Sequence, residues 1–520
     1  MKFIRPSTIL DTGAFTRAST ATFVGSNGLI QSASNNVPRI NYDPVTLACK
    51  GYLGEAAATN LLTYSEQFDN AAWGKSQSGA GVAPVVTANA APAPDGTTTA
   101  DRVVFVAPVS GDGSTIGRSP VTSAGSHAGT FYIRASAAVD VGKVIGFRHV
   151  GASSYTLVTL TDAWSRVEVV ETRLADNFEI SLRPAVGTSS GTVSVLLWGA
   201  QLEAGASATS YIPTTTAAVT RAADTITGAG LVYCNIPETD FPAWVSGTSY
   251  ALNDKVIRTS THSIYQRAVA GAGTTPPETD TTNWVRIGPT NRWAPFDNKV
   301  GTAASNANTI TYILKPGRLN GLALLGVVSG KATVALVVNN ETVYTATLDL
   351  DSGNTVGNWY EYFYEPIYQQ GEVVITDLLD AALFDVPGYS EGILSVTLER
   401  PSETVSCGML VVGIASDIGL TQYGARVSVR DYSKKDADSF GNYTLTVGDF
   451  SKRMTADVIV DNDKLDNVVN YLTRYRATNL VWVGSSVYGC TVVYGFLADW
   501  SVQIENSSQS RLSQEIEGMT

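Results

Sequence analysis

Residues 194–205 read S-V-L-L-W-G-A-Q-L-E-A-G, an apolar strand that ends at Trp198 and runs into a glycine-bounded turn. Around this strand, the chain between residues 101 and 212 alternates strand-length segments with turns. The segments are 102–106, 129–135, 144–150, 155–160, 165–171, 179–182 and 193–198. Seven or more short strands at this spacing predict a β-sandwich of the jelly-roll kind.

The same alternation returns between residues 291 and 400. Its strand-length segments are 309–314, 321–325, 332–338, 341–348, 359–364, 372–376 and 392–399. A second jelly-roll-like sandwich is the simplest account of this pattern.

One helix interrupts the strands near the C-terminus. Apolar residues at i, i+3, i+4 and i+7 predict its buried face, and they are Leu465, Val468, Val469 and Leu472. Asp463 is the predicted N-cap. Strands at 480–483 and 490–497 flank the helix, so the C-terminal region is predicted to be an α+β module.

Near the N-terminus, Asn27-Gly28 lies between the apolar segments 22–24 and 29–30, which predicts a two-residue hairpin turn. The whole chain is therefore predicted to be mainly all-β, with tandem jelly-roll-like sandwiches, a small aromatic module and the C-terminal α+β module. The predicted parts are an N-terminal β or attachment segment 1–60, a sandwich 61–225, the aromatic module 230–288, a second sandwich 289–403 and the C-terminal module 404–520.

Composition supports several domains of short strands. At 520 residues the chain is too long for one core, and a length prior gives about three to four domains. Only 16% of residues are charged, while glycine is abundant at 47 residues. The net charge of −12 argues against nucleic acid as a partner and against docking on an anionic membrane.

Four widely spaced cysteines, Cys49, Cys234, Cys407 and Cys490, form no C-x-x-C pair, so we expect buried thiols rather than a disulfide framework. The N-terminus lacks the apolar core of a signal peptide, and no run of eighteen apolar residues is present. We therefore expect synthesis in a cytoplasm, no membrane insertion, and release by lysis if the protein acts outside a cell.

The small aromatic module carries four large rings in a segment too short to bury all of them. Residues 241–257 read F-P-A-W-V-S-G-T-S-Y-A-L-N-D-K-V-I, and N-W-V-R-I follows at 283–287. The rings are Trp244, Tyr250, Tyr265 and Trp284. Because so small a unit cannot bury four large rings completely, we expect at least one or two of them to be partly exposed. Flat exposed rings stack on the C–H faces of sugars. An alternative of about equal weight is that all four are core.

This segment resembles the small chitin-binding-type carbohydrate-binding modules, whose pattern is W…Y…GD.V…Y…P…W. Asn253-Asp254 stands where that pattern has Gly-Asp. The resemblance implies sugar contact through Trp244, Tyr250 and Trp284, with Tyr265 closer to a core position. In the first sandwich, Trp73 and Tyr64 are further candidates for glycan binding.

Longer elements resemble phage tail and head-spike-fibre proteins with a carbohydrate-binding-like sandwich. They are N-L-L-T-Y-S-E-Q-F-D-N-A-A-W (60–73), A-P-D-G-T-T-T-A-D-R (93–102), W-G-A-Q-L-E-A-G (198–205), S-Y-I-P-T-T-T-A-A-V-T-R-A-A-D (210–224), P-T-N-R-W-A-P-F-D (289–297) and F-S-K-R-M (450–454). The resemblance covers nearly the whole chain. It implies a virion component, a homo-oligomer whose partners are other tail proteins and a host-surface glycan.

Sites for catalysis or metal are weakly supported. His127, His149 and His262 have no partner at ligand spacing, and nothing in the sequence singles out one nucleophile paired with a base. The acidic segments 349–354 and 461–466 fit a polar turn and a helix start better than Ca²⁺ loops. We predict no cofactor and no metal.

A polysaccharide depolymerase is the enzymatic alternative. It would need two carboxylates about 5 to 9.5 Å apart in a groove. Glu361, Glu365 and Asp377 are the candidates, but they lie in or near an aromatic strand-like run, and no β-helix repeat is present.

The sequence thus favours a non-enzymatic phage tail protein, of the baseplate or fibre, that binds host glycan. A structural tail subunit whose modules are spacers is the second hypothesis, and the depolymerase is the third.

Overall fold

The computed structural model describes residues 1–120, 125–149, 154–172, 178–351, 371–376, 378, 391–437, 443–485 and 488–519. The chain is mostly β, as predicted, with 54% strand and 6% helix. It divides into two compact units: one is Phe15–Ile226, and the other comprises Met1–Ala14 and Thr227–Thr520. The predicted strand 359–364 and the carboxylates Glu361, Glu365 and Asp377 lie outside the described residues. The five-part division of the sequence stays a prediction.

The chain opens with β1 (Lys2–Pro6) and β2 (Ala14–Thr16). The strands that follow in the unit Phe15–Ile226 are β3 (Ala21–Val24), β4 (Ile30–Ala33), β5 (Ile40–Tyr42), β6 (Cys49–Tyr52), β7 (Ala58–Asn60), β8 (Gly74–Ser78), β9 (Val82–Ala91), β10 (Ala100–Ala107), β11 (Gly113–Arg118), β12 (Ser126–Ala135), β13 (Val144–His149), β14 (Thr156–Thr159), β15 (Ser165–Thr172), β16 (Phe178–Leu182), β17 (Gly191–Ala204) and β18 (Val219–Arg221).

Two five-stranded antiparallel sheets form a sandwich in this unit, and their strand order is that of a jelly roll. One sheet runs β15-β12-β17-β10-β9 and the other β14-β13-β16-β11-β8. From β10 to β17 each strand passes to the other sheet, except at the β13–β14 hairpin, and this is the double Greek-key order that defines the topology. Alternation explains the core, because Phe178, Ile180 and Leu182 face inward from β16 while Glu179 and Ser181 face away. The predicted jelly roll is therefore confirmed.

The N-terminal hairpin is also confirmed, with a longer turn than predicted. β3 pairs with β4 through Val24 and Ile30, and the amide of Gly25 donates to the carbonyl of Leu29. Gly28 has a φ of +77°, while Asn27 is not left-handed, so the two-residue type I′ turn is absent. The geometry is that of a three-residue turn with a left-handed glycine at its end.

The second unit contains β19 (Thr225–Thr227), β20 (Gly230–Cys234), β21 (Ser249–Tyr250), β22 (Lys255–Arg258), β23 (Ser263–Arg267), β24 (Gly271–Ala272), β25 (Trp284–Pro289), β26 (Ala304–Lys315), β27 (Gly321–Val328), β28 (Lys331–Val338), β29 (Glu341–Asp349), β30 (Glu372–Ile375), β31 (Ile393–Asp417), β32 (Leu420–Thr421), β33 (Arg426–Asp431), β34 (Lys434–Ala437), β35 (Tyr443–Thr446), β36 (Phe450–Asp461), α1 (Leu465–Arg474), β37 (Leu480–Val483), β38 (Val492–Ile504) and β39 (Gln509–Gly518). β19 crosses the boundary between the units, since Thr225 and Ile226 belong to the unit Phe15–Ile226 and Thr227 to the other.

In the described part of the second unit, the strands of the predicted second sandwich belong to a fourteen-stranded antiparallel sheet that also includes β1 and the C-terminal strands β37, β38 and β39. Its longest strand, β31, pairs first with β26 and β28 and later with β27 and β1. Midway along β31, Ser402 has a φ of +67° and its amide donates to Asn308 at 2.7 Å. This irregularity bends the strand without ending it, so alternate residues of both halves share one core with Leu324 and Leu336.

The first residues of the chain belong to this unit. β1 lies between β31 and β37, and Phe3 packs against Trp482 with ring centroids 5.5 Å apart. The predicted helix is present as α1, and its Val468 and Leu472 are buried. Asp463 as N-cap is wrong: the cap position is Lys464, which makes no side-chain capping bond. The reason is a turn in which Lys464 donates its amide to the carbonyl of Asp461, so the helix starts later.

The four cysteines, all within the described part of the chain, form no disulfide with one another. Cys49, Cys234 and Cys407 are buried as predicted, but Cys490 is exposed. Burial raises the pKa of Cys234 to about 11, so this thiol stays protonated and packs as a small apolar group. Among the residues that the structure describes, no helix is both long and apolar enough to cross a membrane.

Candidate functional site

The aromatic module is built on the three-stranded sheet β22-β23-β25, with the short pair β21-β24 beside it. Alternate residues of β23 point to one side, which buries Tyr265. Val256, Tyr265 and Trp284 form the small core, and Trp244 and Tyr250 pack against its margin. A module with so few apolar residues encloses two rings and leaves two at the edge.

The four predicted rings therefore divide into two pairs. Trp284 is 3% exposed and Tyr265 is 5% exposed, so neither offers a free face to a ligand. Trp244 and Tyr250 are half-buried. The expectation that one or two rings remain partly exposed is confirmed. The prediction that Trp284 forms part of a sugar platform conflicts with its position in the core, because a stacking residue needs an accessible ring face.

Tyr250 is fixed at the edge of the core. Its ring meets Trp284 edge to face at 5.1 Å. Its hydroxyl oxygen accepts a hydrogen bond from the amide of Val245 at 2.8 Å. These contacts set the ring orientation before any ligand arrives.

Trp244 lies beside an ion pair. The Arg258 guanidinium stands 5.1 Å from its ring centroid, within the range of a cation–π contact. Arg258 donates to both carboxylate oxygens of Glu278, at 3.0 Å from Nε and 2.7 Å from Nη2. These hydrogen bonds hold the pKa of Glu278 below its usual value. Both charged side chains are about one quarter exposed, so the site offers part of an aromatic ring together with hydrogen-bond donors and acceptors.

The departure from Gly-Asp in the resembled pattern has a backbone explanation. Asn253 has a φ of +70°, in the left-handed region that glycine and asparagine tolerate best. The Asp254 carboxylate accepts from the amide of Ala251 at 2.6 Å, which closes the turn. Asparagine thus preserves the turn that the pattern normally builds with glycine.

A buried arginine packs beside Trp284 in the core of the module. Arg267 is 3% exposed and stands 4.9 Å from the Trp284 ring centroid. Its Nη2 donates to the carbonyl of Gly271 at 3.1 Å, and its Nη1 lies 4.0 Å from Asp280. This side chain, which sequence reasoning did not single out, stabilises Trp284 in its buried position.

The two glycan-binding candidates of the first sandwich, Trp73 and Tyr64, pack within the fold. Trp73 is 1% exposed, and its Nε1 donates to the carbonyl of Tyr64 at 2.9 Å. Phe68 packs against it at 4.7 Å. Trp73 is therefore a core residue without a free ring face, while Tyr64 is half-buried with a left-handed backbone (φ +58°).

A polar cluster on the outer face of the sandwich was missed by sequence reasoning. Glu179 accepts from Arg148, from the Tyr155 hydroxyl and from Ser181 Oγ. Burial raises the pKa of Tyr155 to about 12, and the Glu179 carboxylate adds to this. Polar Glu179 and Ser181 between apolar neighbours in F-E-I-S-L (178–182) were the available signal. Because the carboxylate already has these donors, the cluster rigidifies the sheet.

Within the described ranges, no group of three or more His, Cys, Asp or Glu side chains is placed to hold a metal ion. His127 is buried, and the side chain of His149 lies outside the described part of the chain. His262 stacks on Trp293 at 4.2 Å and pairs with Glu238 at 3.0 Å and Asp11 at 3.3 Å.

No protein family model and no curated protein matches the chain. Solved structures give distant similarities. The enzymatically active domain of bacteriophage CBA120 tailspike protein 4 is 14% identical over 28% of this chain and 21% of that chain, with a TM-score of 0.20. The chain thus spans about a fifth of the tailspike domain.

Two pairs of carbohydrate-binding modules also align. The tandem CBM51 modules of a family 98 glycoside hydrolase from Streptococcus pneumoniae are 12% identical over 69% of this chain and 99% of that chain, with a TM-score of 0.19. The CBM22 tandem from Paenibacillus barcinonensis Xyn10C is 9% identical over 69% and 98%, with a TM-score of 0.20. Scores this low do not establish a shared fold, so the jelly-roll assignment rests on strand order.

Proposed function

We propose that this protein is a non-enzymatic component of a phage tail that binds host-surface glycan through the edge of its aromatic module. The observation that carries the proposal is the half-buried Trp244 ring held beside the Arg258–Glu278 ion pair. An apolar ring next to fixed donors and acceptors suits a sugar, which presents C–H faces and hydroxyls together.

Binding at this site is mechanically simple. The exposed part of Trp244 covers apolar C–H surface of one sugar ring, and Tyr250 limits how that sugar can tilt. Arg258 and Glu278 donate to and accept from its hydroxyls. Because the site is small and open, a single module binds weakly, and several copies in one virion raise the avidity without new contacts.

The phage assignment comes from the resemblance of the sequence elements to tail and spike-fibre proteins. On this proposal the protein is made in the host cytoplasm, is released by lysis, and belongs to the virion as a homo-oligomer among other tail proteins. Jelly rolls recur in viral and lectin domains, which is compatible with this place but is an analogy of fold.

The proposal is tested by titrating the full-length protein with host-surface polysaccharide. We expect Trp244→Ala to weaken binding about tenfold, since loss of an aromatic contact of roughly 1.4 kcal/mol corresponds to that factor. Val269→Ala is the matched control, because Val269 is exposed in the same module. Equal affinity of the Trp244→Ala variant and the wild type would refute the ring's role.

The structural-subunit hypothesis makes a different prediction. If the modules are spacers, soluble protein does not block adsorption of the phage to its host, whereas a receptor binder competes. The depolymerase hypothesis predicts new reducing ends or double bonds in polysaccharide incubated with the protein, and our proposal predicts none.

A further inference from the structure

The strands β33, β34 and β35 form an arm with little cover from the rest of their unit. All six side chains of β33 and all four of β35 are exposed. Within the described residues, the backbone of β33 pairs only with β36, and β34 and β35 pair only with each other. The side chain of Arg430 on β33 donates to Glu517 on β39 at 3.1 Å. One edge of β33 is thus open in the described part of the chain.

The arm exposes an unusual amount of apolar surface. The exposed apolar side chains of the arm and its margins are Val427, Val429, Tyr432, Tyr443, Leu445, Val447 and Phe450. Leu445 is 67% exposed and Val447 is 84% exposed. At roughly 200 Å² for each aromatic side chain, the exposed parts of the three rings amount to about 300 Å². The four aliphatic side chains add a comparable area, so the patch approaches the roughly 800 Å² that each partner buries in a stable interface.

The hairpin β34–β35 also lacks a core of its own. Its side chains are exposed along both strands where the structure describes them. An isolated two-stranded hairpin is marginally stable in water, and it gains stability when a third element covers one face. Lys435 stands 3.8 Å from the Tyr443 ring centroid, a local contact that covers only part of the exposed surface. The arm therefore has the properties of a segment that is completed by another chain.

Charge favours a partner with an acidic surface. Residues 426–446 contain four Lys or Arg and three Asp, a net charge of +1, which leaves −13 for the remainder of a chain whose total is −12. An acidic surface suits the basic groups that border the apolar patch, among them Arg426, Lys434 and Lys435. A second copy of this chain supplies such a surface in a fixed ratio.

We propose that the arm docks on a second copy of this chain and covers its apolar side chains there. This inference does not depend on glycan binding, because the arm and the aromatic module share no residue. The interface would be built from the exposed faces of β33 and β35 and from Val447 and Phe450.

The test is the mass of the full-length protein in solution, measured by sedimentation over a hundredfold range of concentration. We expect the wild type to associate into a multiple of the 55.0 kDa chain. We expect the double variant Leu445→Asp/Val447→Asp to remain at one chain mass. The matched control is Val85→Asp/Val109→Asp, which places two carboxylates at exposed valines of the other unit and should associate like the wild type.

A wild type that stays at one chain mass overturns the proposal, and so does an arm variant that associates as the wild type does. A second measurement needs no variant. Hydrogen exchange of the peptide 443–450 should slow as the concentration of wild-type protein rises, and an exchange rate independent of concentration overturns the proposal.

Discussion

Removing the carboxylate of Asp224 should destabilise the unit Phe15–Ile226 more than other single changes at its charged residues. Asp224 accepts from Arg17 at 3.0 Å, from Arg39, and from the amide of Glu55 at 3.0 Å. The side chains of Asp224, Arg17 and Arg39 are fully buried. In Asp224→Ala, Arg17 loses its carboxylate partner, while Arg39 keeps Glu55 at 2.8 Å.

The size of the effect follows from this geometry. Breaking a buried ion pair by removing one partner costs about 3–5 kcal/mol, because the remaining charge is left without compensation. Hydrogen exchange followed by mass spectrometry measures each unit separately, since its most protected amides report the opening free energy of that unit. A loss of 3 kcal/mol speeds the exchange of β10, β12 and β17 by roughly a hundredfold.

The control is Lys50→Ala in the same unit. Lys50 pairs with Asp43 at 3.0 Å, but its side chain is 51% exposed, and an exposed pair contributes about 0–1 kcal/mol. The reasoning is refuted if Asp224→Ala lowers the opening free energy by less than about 1 kcal/mol.

Three further predictions concern the aromatic module. Trp284→Ala should cost about 3–5 kcal/mol, seen as lost exchange protection of β22, β23 and β25, whereas unchanged protection would contradict its core position. Burial lowers the pKa of His262, but the hydrogen bonds and negative charges of Glu238 and Asp11 together raise that pKa by more. The net shift of the pKa is therefore upward from 6.5. The stabilisation by protonated His262 is therefore full below pH 6.5 and is lost as pH rises through the higher folded-state pKa. Hydrogen-exchange rates of the wild type and His262→Asn are compared at pH 5.5 and 8.5. An equal pH dependence in the two proteins would contradict the prediction. Asn253→Val should destabilise the turn by about 1–2 kcal/mol while Asn253→Gly is tolerated, and thermal unfolding that ranks the variants in the opposite order would exclude the left-handed explanation.

The local pattern of apolar residues was sufficient to predict strands and helices whose periodicity reflects burial of one face. The alternation in β16 and the spacing of Val468 and Leu472 identified a strand and a helix face. The jelly-roll order followed from seven or more short strands, since few topologies close so many strands into two sheets.

Long-range pairing could not be read in the same way. The position of β1 between β31 and β37 joins residues more than four hundred positions apart. The long strand β31 carries a proline at its bend, which in sequence reads as a strand end. A bulge with a left-handed residue allowed the strand to continue there.

The sequence identified the four aromatic rings of the candidate site. It did not show which rings lie in the core of the module and which lie at its edge. Trp244 and Trp284 have the same side chain, and no local pattern tells which one the three-stranded sheet encloses. Arg267 decides this in part, because its guanidinium is buried next to Trp284. The Arg258–Glu278 pair joins residues twenty positions apart, so its place beside Trp244 emerged only from the folded module.

The central claim, a glycan site at the edge of the aromatic module, is tested most directly by one measurement. The affinity of full-length protein for host-surface polysaccharide is compared between wild type and Trp244→Ala, with exchange protection of β22, β23 and β25 measured to show that the module stays folded. We predict about a tenfold loss of affinity with protection retained. Unchanged affinity in a folded Trp244→Ala protein, or no binding by the wild type, would contradict the claim.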